Sequence, residues 1–212
     1  MTAHGILAMW HDCEVGREEE YEVWYQTEHL FERLGVPGFL FGRRLEAVSG
    51  TPRFFNFYVT ETPDVLTSEP YLARLNDPTP LTRSVMSKAF KNMTRTVCRR
   101  AARAGRFRGS TVVTARFSER GDRSALISLV DTLSRGPAVA SAEFWEAVEL
   151  GGGSVSSEER LRGGDQRITG CLTVEMLRQD EAKVIASDFS RQLPDADVGV
   201  YAMLCEIGRG DI

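Results

Sequence analysis

The sequence predicts an α+β fold in which one pattern of six elements occurs twice in tandem. Three observations lead to this prediction. Apolar runs of strand length alternate with stretches of helical length. The order of these elements in residues 1–104 recurs in residues 105–212. Short echoes also connect the halves, because residues 46–48 and 146–148 share the letters EAV.

The first half opens with the apolar run GILAMWHDC, and a helix-like stretch follows it. Two strand-like runs, FLFGRRLEAV and RFFNFYVTE, come next, then a second helix-like stretch and a final strand. The six predicted elements span residues 5–13, 17–34, 39–48, 53–61, 64–76 and 92–99.

The second half repeats this order with different residues. Each half therefore reads strand-helix-strand-strand-helix-strand, the split βαβ arrangement of ferredoxin-like folds. The six predicted elements span residues 110–117, 123–135, 139–150, 167–177, 180–193 and 198–207.

A ferredoxin-like half leaves one apolar face of its sheet without helices, and a second copy is the simplest cover for that face. The first strand is apolar on both alternations, with Ile6, Ala8 and Trp10 on one side and Leu7 and Met9 on the other. Strands buried on both faces have this pattern. We therefore expect antiparallel sheets packed into an α/β barrel, helices outside, with a hollow formed chiefly by the amino-terminal half.

Two inserts distinguish the halves. Residues 78–88 of the first half contain two prolines, which predict an ordered turn followed by about one helical turn. Residues 151–164 lengthen the central hairpin of the second half and begin with three consecutive glycines. Two interpretations of this second insert stay open, a surface loop or a lid over a binding site.

Composition argues against several classes of function. A net charge of −4 and a pI near 5.5 argue against a nucleic-acid partner. The basic cluster in residues 99–108 is interpreted as a solvated linker face, since no aromatic stacking platform accompanies it. No segment has the length of a membrane span or the pattern of a signal peptide. Four cysteines without paired spacing are typical of buried thiols in a reducing compartment, so we expect a cytoplasmic protein without a membrane partner.

The most specific motif lies in residues 24–39, WYQTEHLFERLGVPGF, followed by a strand that contains arginine. The pattern W-Y-x-x-E-H-L-x-E-R-L-x-V-P-G-F resembles the dimeric α/β-barrel superfamily, particularly its EthD-like members. The resemblance covers residues 5–99 and continues into the second half only as element order, so one chain would form a tandem pseudo-dimer. It implies a superfamily with cofactor-free monooxygenases, lactone isomerases, polyketide cyclases, aldoxime dehydratases and haem-degrading enzymes. Fold alone therefore does not choose a reaction.

All three histidines, His4, His11 and His29, lie in the first 29 residues. A histidine base would therefore belong to the domain of residues 1–104, and residues 105–212 would be a structural partner. His11, near the end of the first strand, suits proton transfer near neutral pH. The alternative for His11 is a hydrogen-bonded core or rim residue.

Helix one offers the second histidine. Tyr21, Tyr25 and His29 form one stripe at a spacing of four residues. A neighbouring carboxylate such as Glu28 could hold the imidazole tautomer and raise its basicity. The wheel alone favours a solvated polar face with two half-buried tyrosines, and the resemblance at Tyr25, Glu28 and His29 makes catalysis an equal alternative. The apolar stripe is predicted to contain Val23, Thr27, Leu30 and Leu34, with Trp24 and Phe31 on its edge.

Strands two and three supply further candidates. Arg43 and Arg44 point to opposite faces of a regular strand, so one of them faces inward. That arginine could bind a carboxylate or enolate oxygen, or pair with a glutamate of helix one. Asn56 and Tyr58 share a face and could orient a polar substrate atom. The predicted catalytic residues are His11, His29, Tyr25, Glu28 and Arg43. The predicted substrate-binding residues are Trp10, Trp24, Arg44, Asn56 and Tyr58.

The preferred hypothesis from these residues is a cofactor-independent enzyme of isomerase, lyase, cyclase or hydrolase type. It would act on a small apolar or aromatic carbonyl compound by histidine acid/base catalysis. One alternative is a cofactor-free monooxygenase of phenolic substrates, and another is a non-catalytic barrel that binds a small molecule. No metal, haem or dinucleotide is predicted, because H-x-H, H-E-x-x-H and G-x-G-x-x-G patterns are missing from the sequence. Whether the pseudo-dimer pairs again as a homodimer stays open.

Overall fold

The computed structural model describes residues 3–149 and 155–212. The three glycines that open the second insert, residues 151–153, lie outside the described residues. The strands are β1 (Gly5–Cys13), β2 (Phe39–Ser49), β3 (Phe54–Thr60), β4 (Phe90–Gly105), β5 (Thr111–Phe117), β6 (Val139–Ala147), β7 (Gly170–Met176) and β8 (Ala196–Gly208). The helices are α1 (Glu18–Trp24), α2 (Leu30–Leu34), α3 (Glu69–Asn76), α4 (Pro80–Lys88), α5 (Arg123–Leu133), α6 (Ser157–Arg162) and α7 (Gln179–Gln192).

The eight strands form one closed barrel in the order β1-β3-β2-β8-β5-β7-β6-β4. Strands of the first half occupy one side and strands of the second half the other. The halves join edge to edge through the antiparallel pairs β2–β8 and β4–β6. The predicted α+β barrel of tandem ferredoxin-like repeats is confirmed, and closure leaves no free sheet edge.

Large side chains fill the interior of the barrel. Trp10 and Phe55 stack there with ring centroids 4.6 Å apart, and Phe57, Trp145 and Tyr201 pack around them. The prediction of a hollow between the two halves is therefore wrong. The cavity described below lies on the outer face of the first-half sheet, under the helices of that half.

The basic cluster at the junction is part of the barrel. Arg99 pairs with Glu146, and Arg100 and Arg103 pair with Glu143. The prediction of a linker is wrong, because β4 continues to Gly105 and places Arg99 and Arg103 opposite Glu146 and Glu143 of β6. The prediction of solvation is confirmed for Arg99 and Arg103, which are exposed.

Helix one contains a π-helical turn, Tyr25–His29, between α1 and α2. Such a turn inserts one residue into the helical repeat and rotates the face that follows it. Trp24, Leu30 and Leu34 are buried, as predicted for the apolar stripe, whereas Val23 and Phe31 are 47% and 45% exposed and Thr27 is exposed as well. The prediction of a solvated face is wrong, because Tyr21, Tyr25 and His29 are buried.

Both inserts contain helices that pack on the first half. In the first insert, α4 spans nine residues rather than one turn, because Pro80 occupies its first turn, where no N–H is needed. In the second insert, α6 packs against α3, α4 and β4. The second half thus reaches across and covers part of the first. Within residues 3–149 and 155–212, no helix combines the length and apolarity needed to span a membrane.

Candidate functional site

Asn56 is the centre of a buried hydrogen-bond network between β3, β1 and helix one. Its amide nitrogen donates to the Tyr25 hydroxyl at 2.9 Å and lies 3.1 Å from His11 Nε2. Tyr21 Oη lies 3.4 Å from the same amide and 3.3 Å from His11 Nε2. All four side chains are essentially inaccessible to solvent. The network therefore fixes helix one on the sheet with its two tyrosine hydroxyls in defined positions.

His11 is engaged through both ring nitrogens. Nε2 accepts from Asn56, and Nδ1–H donates to the Asp12 carbonyl at 3.3 Å. Burial is the main reason that the pKa of His11 falls to about 3, with a smaller contribution from the Arg44 charge. His11 is therefore a neutral imidazole that positions Asn56.

His29 differs from His11 in having an unused nitrogen. Its ring lies against the indole of Trp24 with centroids 4.0 Å apart and an interplanar angle of 28°. Nδ1 is buried and has no hydrogen-bond partner among the described residues. Burial, and then the charges of Arg33 and Arg162, hold the pKa of His29 well below its usual value. At neutral pH, His29 thus presents a neutral ring.

Glu28 reaches His29 only indirectly. Its carboxylate accepts hydrogen bonds of 2.5 Å from Thr79 and Thr82. Thr82 also accepts from Trp24 Nε1 at 2.9 Å, and Trp24 in turn stacks on His29. The expected carboxylate–imidazole pair is absent from the described residues, because helix one directs Glu28 toward α4.

A small cavity lies beside His29, between the first-half sheet and the helices. The space open to the centre of a water molecule is ≈ 20 Å³, which is room for about one water. Three buried polar atoms without partners among the described residues belong to side chains of its wall: His29 Nδ1, Tyr58 Oη and Arg33 Nη1. The other lining residues are Leu7, Met9, Trp24, Tyr25, Tyr71, Leu75, Met86, Phe90, Met93, Arg95, Glu158 and Arg162.

Glycine at position 42 makes room for the Tyr58 ring. The two residues are paired between β2 and β3, and a Cβ on Gly42 would lie 2.6 Å from Tyr58 Cε1. Tyr58 therefore lies flat over β2 with its hydroxyl among the cavity-lining groups. Burial raises the pKa of Tyr58 well above its usual value, so the hydroxyl keeps its proton.

Arg43 and Arg44 point to opposite faces, and only Arg44 contacts the network. Its guanidinium lies 4.1 Å from the Tyr25 ring centroid and makes a bidentate pair with Glu22 at 2.8 and 2.9 Å. This is the expected ion pair with a glutamate of helix one. Arg43 is buried on the opposite face, where it pairs with Glu175 and Glu206 of the second half.

Two predicted residues therefore lie apart from the others. Trp10 and Arg43 belong to the inner face of the barrel, because side chains alternate along β1 and β2. The structure does bring together the other predicted residues: His11, Trp24, Tyr25, Glu28, His29, Arg44, Asn56 and Tyr58.

Sequence reasoning missed four charged cavity residues, Arg33, Arg95, Glu158 and Arg162. Arg33 is one helical turn beyond His29, a spacing that a search for charged neighbours could have found. Glu158 and Arg162 come from α6, and no local pattern indicates that this helix packs on the other half.

The described residues contain no group of three or more His, Cys, Asp or Glu side chains that could hold a metal ion. His4 is exposed and both nitrogens of His11 are engaged, so neither histidine offers an axial ligand inside a pocket.

Comparison with solved structures identifies the fold. The chain is similar to an anthrone oxidase-like protein, at 11% identity and a TM-score of 0.60, with 100% of this chain and 96% of that chain covered. It is also similar to a Fusobacterium nucleatum protein provisionally described as a monooxygenase, at 8% identity, a TM-score of 0.57, and coverage of 98% and 95%. A chlorite dismutase mutant from Candidatus Nitrospira defluvii matches at 8% identity, a TM-score of 0.51, and coverage of 96% and 92%. No family model and no curated protein sequence matches the chain.

These likenesses establish the dimeric α/β-barrel fold, with one chain forming the whole closed barrel. At identities near 10% they carry no residue roles and no reaction. The function of this protein therefore has to be argued from the site.

Proposed function

We propose that this protein is a cofactor-independent monooxygenase that acts on a planar, electron-rich aromatic compound with an acidic C–H or O–H group. One observation carries the proposal. A neutral, buried imidazole with an unused nitrogen and a tyrosine hydroxyl without a partner line the same aromatic- and methionine-rich cavity. Convergent polar groups in an apolar pocket are typical of small-molecule sites.

His29 is the base in this proposal. Its neutral ring accepts the substrate proton at Nδ1, and the resulting imidazolium forms an ion pair with the substrate anion. Trp24 supports the far face of the imidazole and provides an aromatic surface for the substrate. Tyr58, and Tyr25 whose oxygen already accepts from Asn56, donate hydrogen bonds to the developing oxyanion.

The reaction balances without an added reductant. A substrate CH₂ group flanked by aromatic rings loses one proton to His29, and the carbanion then transfers electrons to O₂ and bonds to oxygen. Loss of the second hydrogen and cleavage of the O–O bond yield a ketone and one water. The substrate itself supplies all the electrons, so the site needs only a base, hydrogen-bond donors and an apolar environment.

Two of the similar structures support this choice of reaction, since one is an anthrone oxidase-like protein and the other is provisionally described as a monooxygenase. The EthD-like motif of helix one supports a small-molecule enzyme in general. Isomerisation or elimination would use the same base but would not consume oxygen. A non-catalytic barrel would bind the compound without turnover.

Substrate entry requires the cavity to open, because it now holds about one water. The element placed to open it is α6, which contributes Glu158 and Arg162 to the wall and belongs to an insert of the other half. We propose that α6 is a lid, one of the two alternatives left by the sequence.

The test is oxidation of anthrone by the purified full chain under ¹⁸O₂, with no flavin or metal added. We expect anthraquinone whose new carbonyl oxygen carries ¹⁸O, with one O₂ consumed per product. A different product at the same oxidation level as anthrone, formed equally well under nitrogen, would indicate an isomerase or lyase instead. Binding of anthrone with no product would favour the non-catalytic barrel and would contradict the proposal.

A further inference from the structure

The cavity has a charged end that the proposed reaction does not use. Arg33 and Arg162 have side chains only 2% and 4% exposed, and Arg95 lines the same wall. Glu158 lies between the first two, and Asp165 pairs with Arg162 at 2.7 Å. Glu32 is a third carboxylate near Arg33, so the three guanidinium groups have three carboxylates around them. Buried guanidinium donors are expensive unless they are paired, so a donor without a partner is the feature that favours an anionic ligand.

Arg33 uses only part of its hydrogen-bonding capacity. Nη2 binds Glu158 Oε1, whereas Nη1 is buried without a partner among the described residues. A planar guanidinium prefers a carboxylate bound by two parallel hydrogen bonds. Glu158 satisfies half of that geometry, which leaves Nη1 of a cavity-lining arginine without a partner among the described residues.

The carboxylate that now occupies Arg33 belongs to the lid. Helix α6 has six residues and is followed by Gly163 and Gly164, both with positive φ. Its further polar contacts with the first half are the Ser157 N–H to Asn76 at 3.1 Å and Arg162 to Met86 Sδ at 3.2 Å. Movement of α6 would remove Glu158 from Arg33 and would separate α6 from β4, while the backbone hydrogen bonds of Gln166 to β4 at 2.8 and 2.9 Å would hold the chain just beyond the two glycines.

We infer that Arg33 anchors a carboxylate of the substrate, and that Glu158 holds that position while the cavity is closed. The inference rests on the proposed function, because it concerns the same cavity. It names the substrate class as aromatic carboxylic acids. Arg33 lies four residues after His29, so their Cβ atoms are roughly 5–6 Å apart. The carboxylate and the reacting atom should therefore be separated by about the width of one aromatic ring.

The experiment compares two probes by calorimetry on the full chain at pH 7.5, 1-hydroxy-2-naphthoate and the neutral 1-hydroxy-2-naphthamide. We expect the acid to bind about tenfold or more tightly than the amide. Arg33→Met should remove this preference, and Glu158→Gln should strengthen binding of the acid by removing its internal competitor. Arg74→Met is the matched control, because Arg74 is 60% exposed on α3 and should keep the preference.

Circular dichroism checks that each variant folds. If Arg33→Met does not fold, the affinity of Glu158→Gln for the acid still tests the inference, because tighter binding than in the wild type is expected. Equal binding of acid and amide, no binding of the acid, or a preference that survives in folded Arg33→Met would overturn the inference. Oxygen uptake is recorded separately. Acid preference without oxygen uptake would support the carboxylate site and contradict the proposed monooxygenase. Oxidation of neutral anthrone without acid preference would support the monooxygenase and contradict the carboxylate site.

Discussion

Trp24 and His29 stack within the same helix, with ring centroids 4.0 Å apart, and the π-helical turn between them makes this contact. The indole is itself held by Thr82, which belongs to an insert 58 positions away. A distant loop helix therefore sets the position of the proposed base. The pocket depends on the hydroxyl of one threonine.

Thr82→Val removes that hydroxyl at nearly constant volume. Trp24 Nε1 then loses its acceptor and Glu28 loses one donor, so we expect a loss of about 1–3 kcal/mol in the free energy of unfolding. Urea denaturation measures it, and indole fluorescence should also change. The control is Thr132→Val, because Thr132 is exposed on α5 and bonds only to a helical carbonyl. Equal effects of the two substitutions would contradict the account.

Arg43→Met and Arg44→Met separate the two faces of β2. Removal of Arg43 leaves Glu175 nearly buried and without its cation, and should cost about 3 kcal/mol of stability with little effect on turnover of folded protein. Removal of Arg44 leaves Glu22, which is 36% exposed, so the loss of stability should be smaller. Turnover should fall in Arg44→Met, because the guanidinium over Tyr25 is lost. Urea denaturation measures the stability of the two variants, and oxygen uptake measures their turnover. A larger loss of stability in Arg44→Met together with a larger loss of turnover in Arg43→Met would contradict the assignment of the two arginines to opposite faces of β2.

Acid should destabilise the protein through its buried histidines. The folded state holds His11 neutral with a pKa near 3, whereas the unfolded imidazole binds a proton below about pH 6.5. The stability contributed by the neutral form is therefore present above pH 6.5 and is lost as the pH falls toward 3. At pH 5 the loss is about 2 kcal/mol for this group.

His11→Gln should flatten the dependence of the unfolding free energy on pH between 7.5 and 5, measured with urea. His4→Gln is the control, because His4 is exposed. An unchanged slope in His11→Gln would show that His11 is not buried as a neutral ring.

The cysteines test the packing of the barrel. Cys98 and Cys171 are fully buried inside it, and burial raises the pKa of Cys98 to about 12. Cys13 and Cys205 are partly exposed. We expect a thiol reagent to label Cys13 and Cys205 slowly in the native chain and to label all four cysteines in urea. Mass spectrometry counts the labels. Native labelling of Cys98 or Cys171 would mean that the interior is open.

Much of the fold is predictable from local sequence. The bounds of β1 match the predicted run, and the other strands differ by a few residues at their ends, apart from the longer β4. Apolar runs on both alternations indicated burial on both faces, and the closed barrel has that property. These features depend on near neighbours in the chain, so pattern and period suffice.

The site was predictable only in part. The wheel of helix one correctly grouped Tyr21, Tyr25 and His29, but it predicted that their face is solvated. A π-helical turn, which brings Trp24 and His29 together, has no simple sequence signature. The contact of Glu158 with Arg33 spans 125 positions and depends on how α6 packs, which local patterns do not encode. Asn56 and Tyr58 were found because alternation along a strand places them on one face.

Oxygen uptake by the wild type, His29→Gln and His4→Gln, measured in parallel with anthrone, tests the central claim most directly. The account predicts stoichiometric oxygen consumption by the wild type and by His4→Gln, with a loss of about a hundredfold or more in His29→Gln, the range expected for removal of a general base. Undiminished oxygen consumption by a folded His29→Gln protein would contradict it.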